Sequence, residues 1–70
     1  MDVKSNPMEY IKILDDIKRE IPFVDVKPYS HNIININLMM LGEKFGEDKV
    51  KEIVSQTQLK YLGWGYILNE

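Results

Sequence analysis

The chain has 70 residues, no cysteine, and nine Lys and Arg against eleven Asp and Glu, so its net charge is −2 at pH 7. A chain this short forms one domain and buries roughly 60% of the surface that it exposes when unfolded. The lack of cysteine excludes thiol catalysis, thiolate metal sites and disulfides. The charges are interleaved and Arg19 is the single arginine, which argues against the basic stripe of a nucleic-acid-binding protein.

The chain shows no targeting or membrane pattern. No basic segment leads into an apolar run near Met1, and the longest apolar stretch is interrupted by Asn35 and Asn37. We therefore expect neither a secretory signal nor a segment that crosses about 30 Å of hydrocarbon. The sequence predicts a cytoplasmic protein, and the absence of cysteine fits a reducing compartment.

The first helix is predicted over about residues 7–21. Asn6 is a favourable N-cap, Pro7 suits the first helical position, and Glu9 follows three residues after the cap. Pro22 should end the helix. The apolar face of this helix comprises Tyr10, Ile13, Leu14, Ile17 and Ile21.

The next segment, residues 23–28, is predicted to be an extended link. It is rich in β-branched residues and lies between Pro22 and Pro28. We expect Phe23 and Val26 to pack inward, and a short edge strand is an open alternative.

The second helix is predicted over 31–45, with Ser30 as its cap and Gly46 as its stop. Its core stripe consists of Ile34, Leu38, Leu41 and Phe45, at steps of four, three and four. Residues 34–38 also alternate as a strand would, but the apolar run from Leu38 to Leu41 breaks that alternation. We favour the helix.

A second face of this helix is also apolar, and it comprises Ile33, Ile36, Met39 and Met40. A helix that is apolar on several sides is normally buried on several sides. A chain of 70 residues without disulfides can cover such a face by oligomerisation, so we expect a homodimer.

A third helix is predicted over 47–57, with Glu47 and Asp48 in its first turn, where the helix dipole favours carboxylates. Its inner stripe consists of Val50, Ile53, Val54 and Thr57. A further turn holding Leu59, Tyr61 and Leu62 should be closed by Gly63, and residues 64–68 should fold back as an aromatic tail. The predicted fold is therefore all-α, a single small three-helix domain over residues 1–70.

No catalytic or metal-binding pattern is evident. His31 is the only histidine, and its neighbour Ser30 should point away from it rather than form a nucleophile and base pair. Asp15 and Asp16 diverge by about 100° on a helix and cannot grip a metal together. We expect no enzyme activity, no cofactor and no bound metal.

Two other functions stay open. Residues 41–46 have the small residue and turn glycine of a helix-turn-helix, which would make the chain a DNA-binding regulator. In that alternative the acidic Glu47, Asp48 and Glu52 would face phosphate, offset only by Lys49 and Lys51. A small-ligand sensor with a pocket under Trp64 is the third possibility.

Residues 27–64 resemble short uncharacterised proteins of cyanobacteria and their phages. The resemblance rests on Pro28-Tyr29-Ser30-His31-Asn32, on Phe45-Gly46 and on Leu62-Gly63-Trp64. It implies one small cytoplasmic domain, in which His31, Asn32 and Trp64 share a structural or recognition feature. It brings no activity with it.

The sequence favours a non-catalytic protein-interaction module, a small regulatory adaptor or a phage-encoded inhibitor that binds a larger cytoplasmic protein. The expected contact residues lie off the core stripe of helix two or in the tail, and they are Ile36, Met39, Met40, Tyr66 and Ile67. Methionine adapts to irregular partner surfaces, which is why two methionines stand among them.

Overall fold

The computed structural model describes residues 7–69, and in this range the chain is helical without a strand. Its three helices are α1 (Pro7–Glu20), α2 (Pro28–Phe45) and α3 (Glu47–Gln56). Short 3-10 turns cover Ile21–Phe23, Gln58–Tyr61 and Gly65–Asn69. The predicted all-α class with three helices is confirmed, whereas the predicted cap Asn6 lies outside the described residues.

The link between α1 and α2 is not extended as the sequence predicted. A 3-10 turn continues directly from α1, because Pro22 stands near the start of that turn, where its missing N–H needs no acceptor. The Val26 and Lys27 amides then donate to the Phe23 carbonyl at 3.0 and 2.8 Å. Ile21 and Val24, three residues apart, pack on the core, whereas Phe23 and Val26 are exposed, so the predicted inward packing was wrong.

Helix α2 begins three residues before the predicted start. Lys27 is extended (φ −110°, ψ 125°) because a following proline disfavours helical backbone, and Pro28 opens the helix without losing a hydrogen bond. Ser30 is therefore not the cap but lies inside the helix, where it is buried. Its hydroxyl donates to Glu20 Oε1 at 2.8 Å and ties α2 to the end of α1.

Gly46 alone connects α2 to α3. Its φ of 101° lies in the region that glycine adopts without strain, and its amide donates to the Gly42 carbonyl at 3.1 Å. Thr57 ends α3, because its backbone is extended and its hydroxyl donates to the Ile53 carbonyl at 2.8 Å. The same hydroxyl accepts from the Leu59 amide at 3.2 Å and so starts the next turn.

The three helices and the C-terminal segment share one core. Its buried apolar residues are Ile13, Ile17, Ile34, Leu38, Leu41, Val50, Ile53, Val54, Leu59 and Trp64. The stripes predicted for the helices are thus confirmed, and the tail folds back as expected, with Trp64 only 1% exposed. No helix within residues 7–69 combines the length and the apolar character that a membrane span requires.

Candidate protein-interaction surface

The second apolar face of α2 is only partly exposed. Ile36 is 56% and Met39 is 64% exposed, so both stand off the core as predicted. Met40 is half-buried and packs against the core, so the expectation that it lies off the core was wrong. It occupies the flank of α2 next to α1, where Lys44, one turn further on, binds Glu9 with 2.9 Å between Nζ and Oε2.

Met39 lies beside an open groove of about 720 Å³, which we call the Met39 groove. The groove is bounded by α2, by α3 and by the C-terminal turn. Its buried lining consists of Leu38 from α2, Val50 from α3 and Trp64, which directly precedes the C-terminal turn. The base of the groove is therefore apolar and held in place by the core.

The part of the groove lining that is not buried mixes apolar and polar side chains, and Met39, Tyr66 and Ile67 are its apolar or aromatic members. Tyr66, 62% exposed, and the half-buried Ile67 lie on the C-terminal side. The fold thus brings Met39, Tyr66 and Ile67, three of the five predicted contact residues, to one groove, while Ile36 stands outside it on the same helix.

Asn35 of α2 and two charged residues of α3 complete the lining of the Met39 groove. Glu47 and Lys51 are one helical turn apart, and neither takes part in the ion pairs found among residues 7–69. Neither residue was predicted to lie on this surface. Their spacing of four residues was a visible signal, but only the packing of α3 against α2 shows that they face the groove.

Two side chains, one aromatic and one polar, hold Trp64 in place. The His31 ring stacks on it, with 4.3 Å between ring centroids and 26° between planes. The Trp64 indole N–H donates to Asn35 Oδ1 at 2.7 Å, and Asn35 Nδ2 lies 3.4 Å from His31 Nδ1. His31 and Trp64 therefore do meet, but the amide beside them belongs to Asn35, while Asn32 is exposed.

This cluster bears on the proposed ligand pocket under Trp64. The Met39 groove does reach the Trp64 side chain, but that side chain is almost fully buried and the His31 ring lies on its face. Trp64 thus anchors the core, and a molecule in the groove would contact Met39 and Tyr66 more extensively.

The residues considered for catalysis have structural partners. The Ser30 hydroxyl points to Glu20, and the His31 ring lies on Trp64. Asp15 and Asp16 both pair with Arg19, at 3.0 and 3.7 Å. Across residues 7–69 there is no group of three or more His, Cys, Asp or Glu side chains placed to hold a metal ion.

The helix-turn-helix alternative concerns α2, Gly46 and α3. The exposed start of α3 carries Glu47, Asp48 and Lys49, and the Lys49 ammonium lies 3.5 Å from Glu52 Oε1.

Comparisons of the chain with protein-family models, with curated proteins and with solved structures find no match. The function is therefore inferred from the groove and its surroundings alone.

Proposed function

We propose that the chain is a non-catalytic protein-interaction module, of the kind used by a small regulatory adaptor or a phage-encoded inhibitor. Its contact surface is the Met39 groove together with Ile36. The observation that carries the proposal is that Met39 and Tyr66, each more than half exposed, border a groove whose base consists of buried apolar side chains. Ile36, outside the groove on the same helix, is also more than half exposed.

The composition of this surface is that of a protein interface. Interface centres are enriched in aromatic residues and methionine, and charged residues are depleted there. Tyr66 supplies the aromatic residue and Met39 supplies the methionine. Glu47 and Lys51 add charges that can orient a partner. A side chain such as Met39, with an unbranched and polarizable thioether, also adapts to the shape that it meets.

The proposal is tested by photo-crosslinking in cells of the native host. A photoreactive amino acid replaces Met39 in one variant and Ile11 in the control, because Ile11 on α1 is similarly exposed, at 59%. We expect a discrete protein adduct from position 39 and none from position 11. An absence of adducts at position 39, or identical adducts from both positions, would contradict the proposal.

A binding measurement with the purified crosslinked protein then decides whether the contact contributes affinity. Met39→Glu places a charge in an apolar contact and should weaken binding by about tenfold or more, as expected for a central interface residue. Ile11→Glu is the matched control and should leave the affinity unchanged. Equal losses for the two variants would show that the surface has been misassigned.

A further inference from the structure

We propose that the protein occupying the Met39 groove is a second copy of this chain, paired about a two-fold axis that sets the two α3 helices antiparallel. This inference rests on the proposed function and names the partner of the same surface. It is carried by the two groove charges, Glu47 and Lys51, and by the apolar area that the folded chain leaves uncovered.

The two charges make the groove complementary to itself. In a two-fold interface, if residue i of one copy contacts residue j of the other, then j also contacts i. Glu47 and Lys51 lie one turn apart on α3, so antiparallel α3 helices place Glu47 of each copy opposite Lys51 of the other. The same face of α3 thus supplies both the carboxylate and the ammonium group, and two identical ion pairs form between the copies.

Neither charge takes part in an ion pair among residues 7–69. The ion pairs of residues 7–69 join Arg19 to Asp15 and Asp16, Lys44 to Glu9, and Lys49 to Glu52. Glu47 and Lys51 are the acidic and the basic residue that line the Met39 groove, so within the described part of the chain a partner copy can pair with both. A second copy presents the matching carboxylate and ammonium groups at the same spacing of four residues.

Exposed apolar side chains at the groove are the second observation that supports pairing with another copy. Ten large apolar or aromatic side chains within residues 7–69 are exposed, and Met39 and Tyr66 are the two that border the groove. A 70-residue chain without disulfides has a small core, and oligomerisation is a common way to bury more apolar area. In the pair, Met39 and Tyr66 of each copy pack over the groove of the other.

The first test measures solution mass by light scattering over a concentration series. The native chain should reach twice its mass of 8.2 kDa. Glu47→Lys and Lys51→Glu should each weaken pairing by about tenfold, because each replaces two attractive pairs by two like-charge pairs. Met39→Glu should weaken pairing by at least as much, independently of the ion pairs.

The matched controls lie on the same helix but away from the groove. Asp48→Lys carries the same change of charge as Glu47→Lys at the exposed start of α3, and Lys49→Glu carries the same change as Lys51→Glu. Both control variants should pair as the native chain does. Circular dichroism and thermal unfolding establish that every variant is folded.

Combining the two charge-reversal variants tests the proposed ion pairs more directly. An equimolar mixture of Glu47→Lys and Lys51→Glu should form the mixed pair, recognised by native mass spectrometry, although neither variant pairs well with itself. The double variant Glu47→Lys with Lys51→Glu should again pair with itself. A mixture that stays monomeric, or a native dimer that none of these substitutions weakens, would overturn the proposed pairing.

The crosslinking experiment separates this inference from the proposed function. An adduct from position 39 at twice the chain mass supports self-pairing. A chain that is monomeric at every concentration, and crosslinks from position 39 only to a different protein, overturns self-pairing but leaves the proposed function standing. A monomeric chain with no adduct at that position overturns both.

Discussion

Trp64 is positioned by two neighbours of different chemistry. The His31 ring covers one face of the indole, and the Asn35 amide oxygen accepts its only N–H. Burying an indole without an acceptor would leave the N–H unsatisfied, which costs free energy that the remaining packing must offset. Asn35, although largely exposed, therefore supports the buried side chain that also lines the Met39 groove.

Asn35→Ala should lower the free energy of unfolding by about 1 kcal/mol, because the indole donor of the buried Trp64 loses its acceptor. The same substitution made in a Trp64→Phe background should cost clearly less, since phenylalanine has no N–H to satisfy. Urea unfolding followed by circular dichroism measures all four proteins of this cycle. Equal costs in the two backgrounds would show that the hydrogen bond contributes nothing.

Ser30→Ala tests the contact between α1 and α2. The fully buried hydroxyl donates to the half-buried Glu20 carboxylate, so its removal should cost about 1–2 kcal/mol of unfolding free energy. Ser55→Ala is the control, because Ser55 is exposed and donates within its own helix to the Glu52 carbonyl. The control should stay within about 0.5 kcal/mol of the native chain in the same urea measurement.

The C-terminal segment contributes to the core without forming a long helix. Two 3-10 turns, Gln58–Tyr61 and Gly65–Asn69, fold against α3 and bring Leu59 and Trp64 inward. The close approach of the two turns depends on a small residue at Gly65, since a Cβ built there would lie 2.7 Å from the Lys60 carbonyl oxygen. The segment is therefore a fitted element of the fold.

Gly65→Ala should destabilise the chain by about 1–3 kcal/mol, because the contact is with backbone and one of the turns must shift. Gly42→Ala is the informative comparison. Its Cβ would lie 2.9 Å from Glu47 Oε2, the end of a flexible side chain, and alanine favours the helix by about 0.5–1 kcal/mol. Thermal unfolding should therefore rank Gly42→Ala at or above the native chain and Gly65→Ala well below it.

At the scale of the whole molecule, self-pairing predicts that stability depends on protein concentration. A folded pair that dissociates on unfolding has a midpoint temperature that rises with concentration, by mass action. We expect this rise for the native chain and for Asp48→Lys, and a much smaller rise for Glu47→Lys and Met39→Glu. A native midpoint that is constant from micromolar to millimolar chain would contradict self-pairing.

Most of the helical architecture was readable because its signals are local. The apolar stripes of α1, α2 and α3 repeat at helical spacing, and Pro22, Gly46 and Gly63 mark breaks that the backbone of proline and glycine dictates. Burial of Trp64 was readable as well, because so large an apolar group is rarely left in water in a small domain.

Two local predictions failed for reasons that are also physical. Ser30 has the side chain of a good N-cap, but Pro28 starts the helix earlier, and Ser30 then falls on the inward face, where its hydroxyl needs a partner from α1. The link was predicted to be extended from its β-branched residues, yet Ile21 and Val24 gain more by packing inward from a helical turn. In both cases a contact between elements overrode a local preference.

The sequence by itself determined the class of fold, the helix stripes and the exposed character of Ile36, Met39 and Tyr66, because these follow from the order of apolar and polar residues along a helix or turn. Only the tertiary structure decided that Met40 turns toward the core, and that Met39, Tyr66, Glu47 and Lys51 border one groove. The side chains that border the groove come from three different elements. Their meeting depends on how α2, α3 and the C-terminal turn pack around Trp64, which no local pattern specifies.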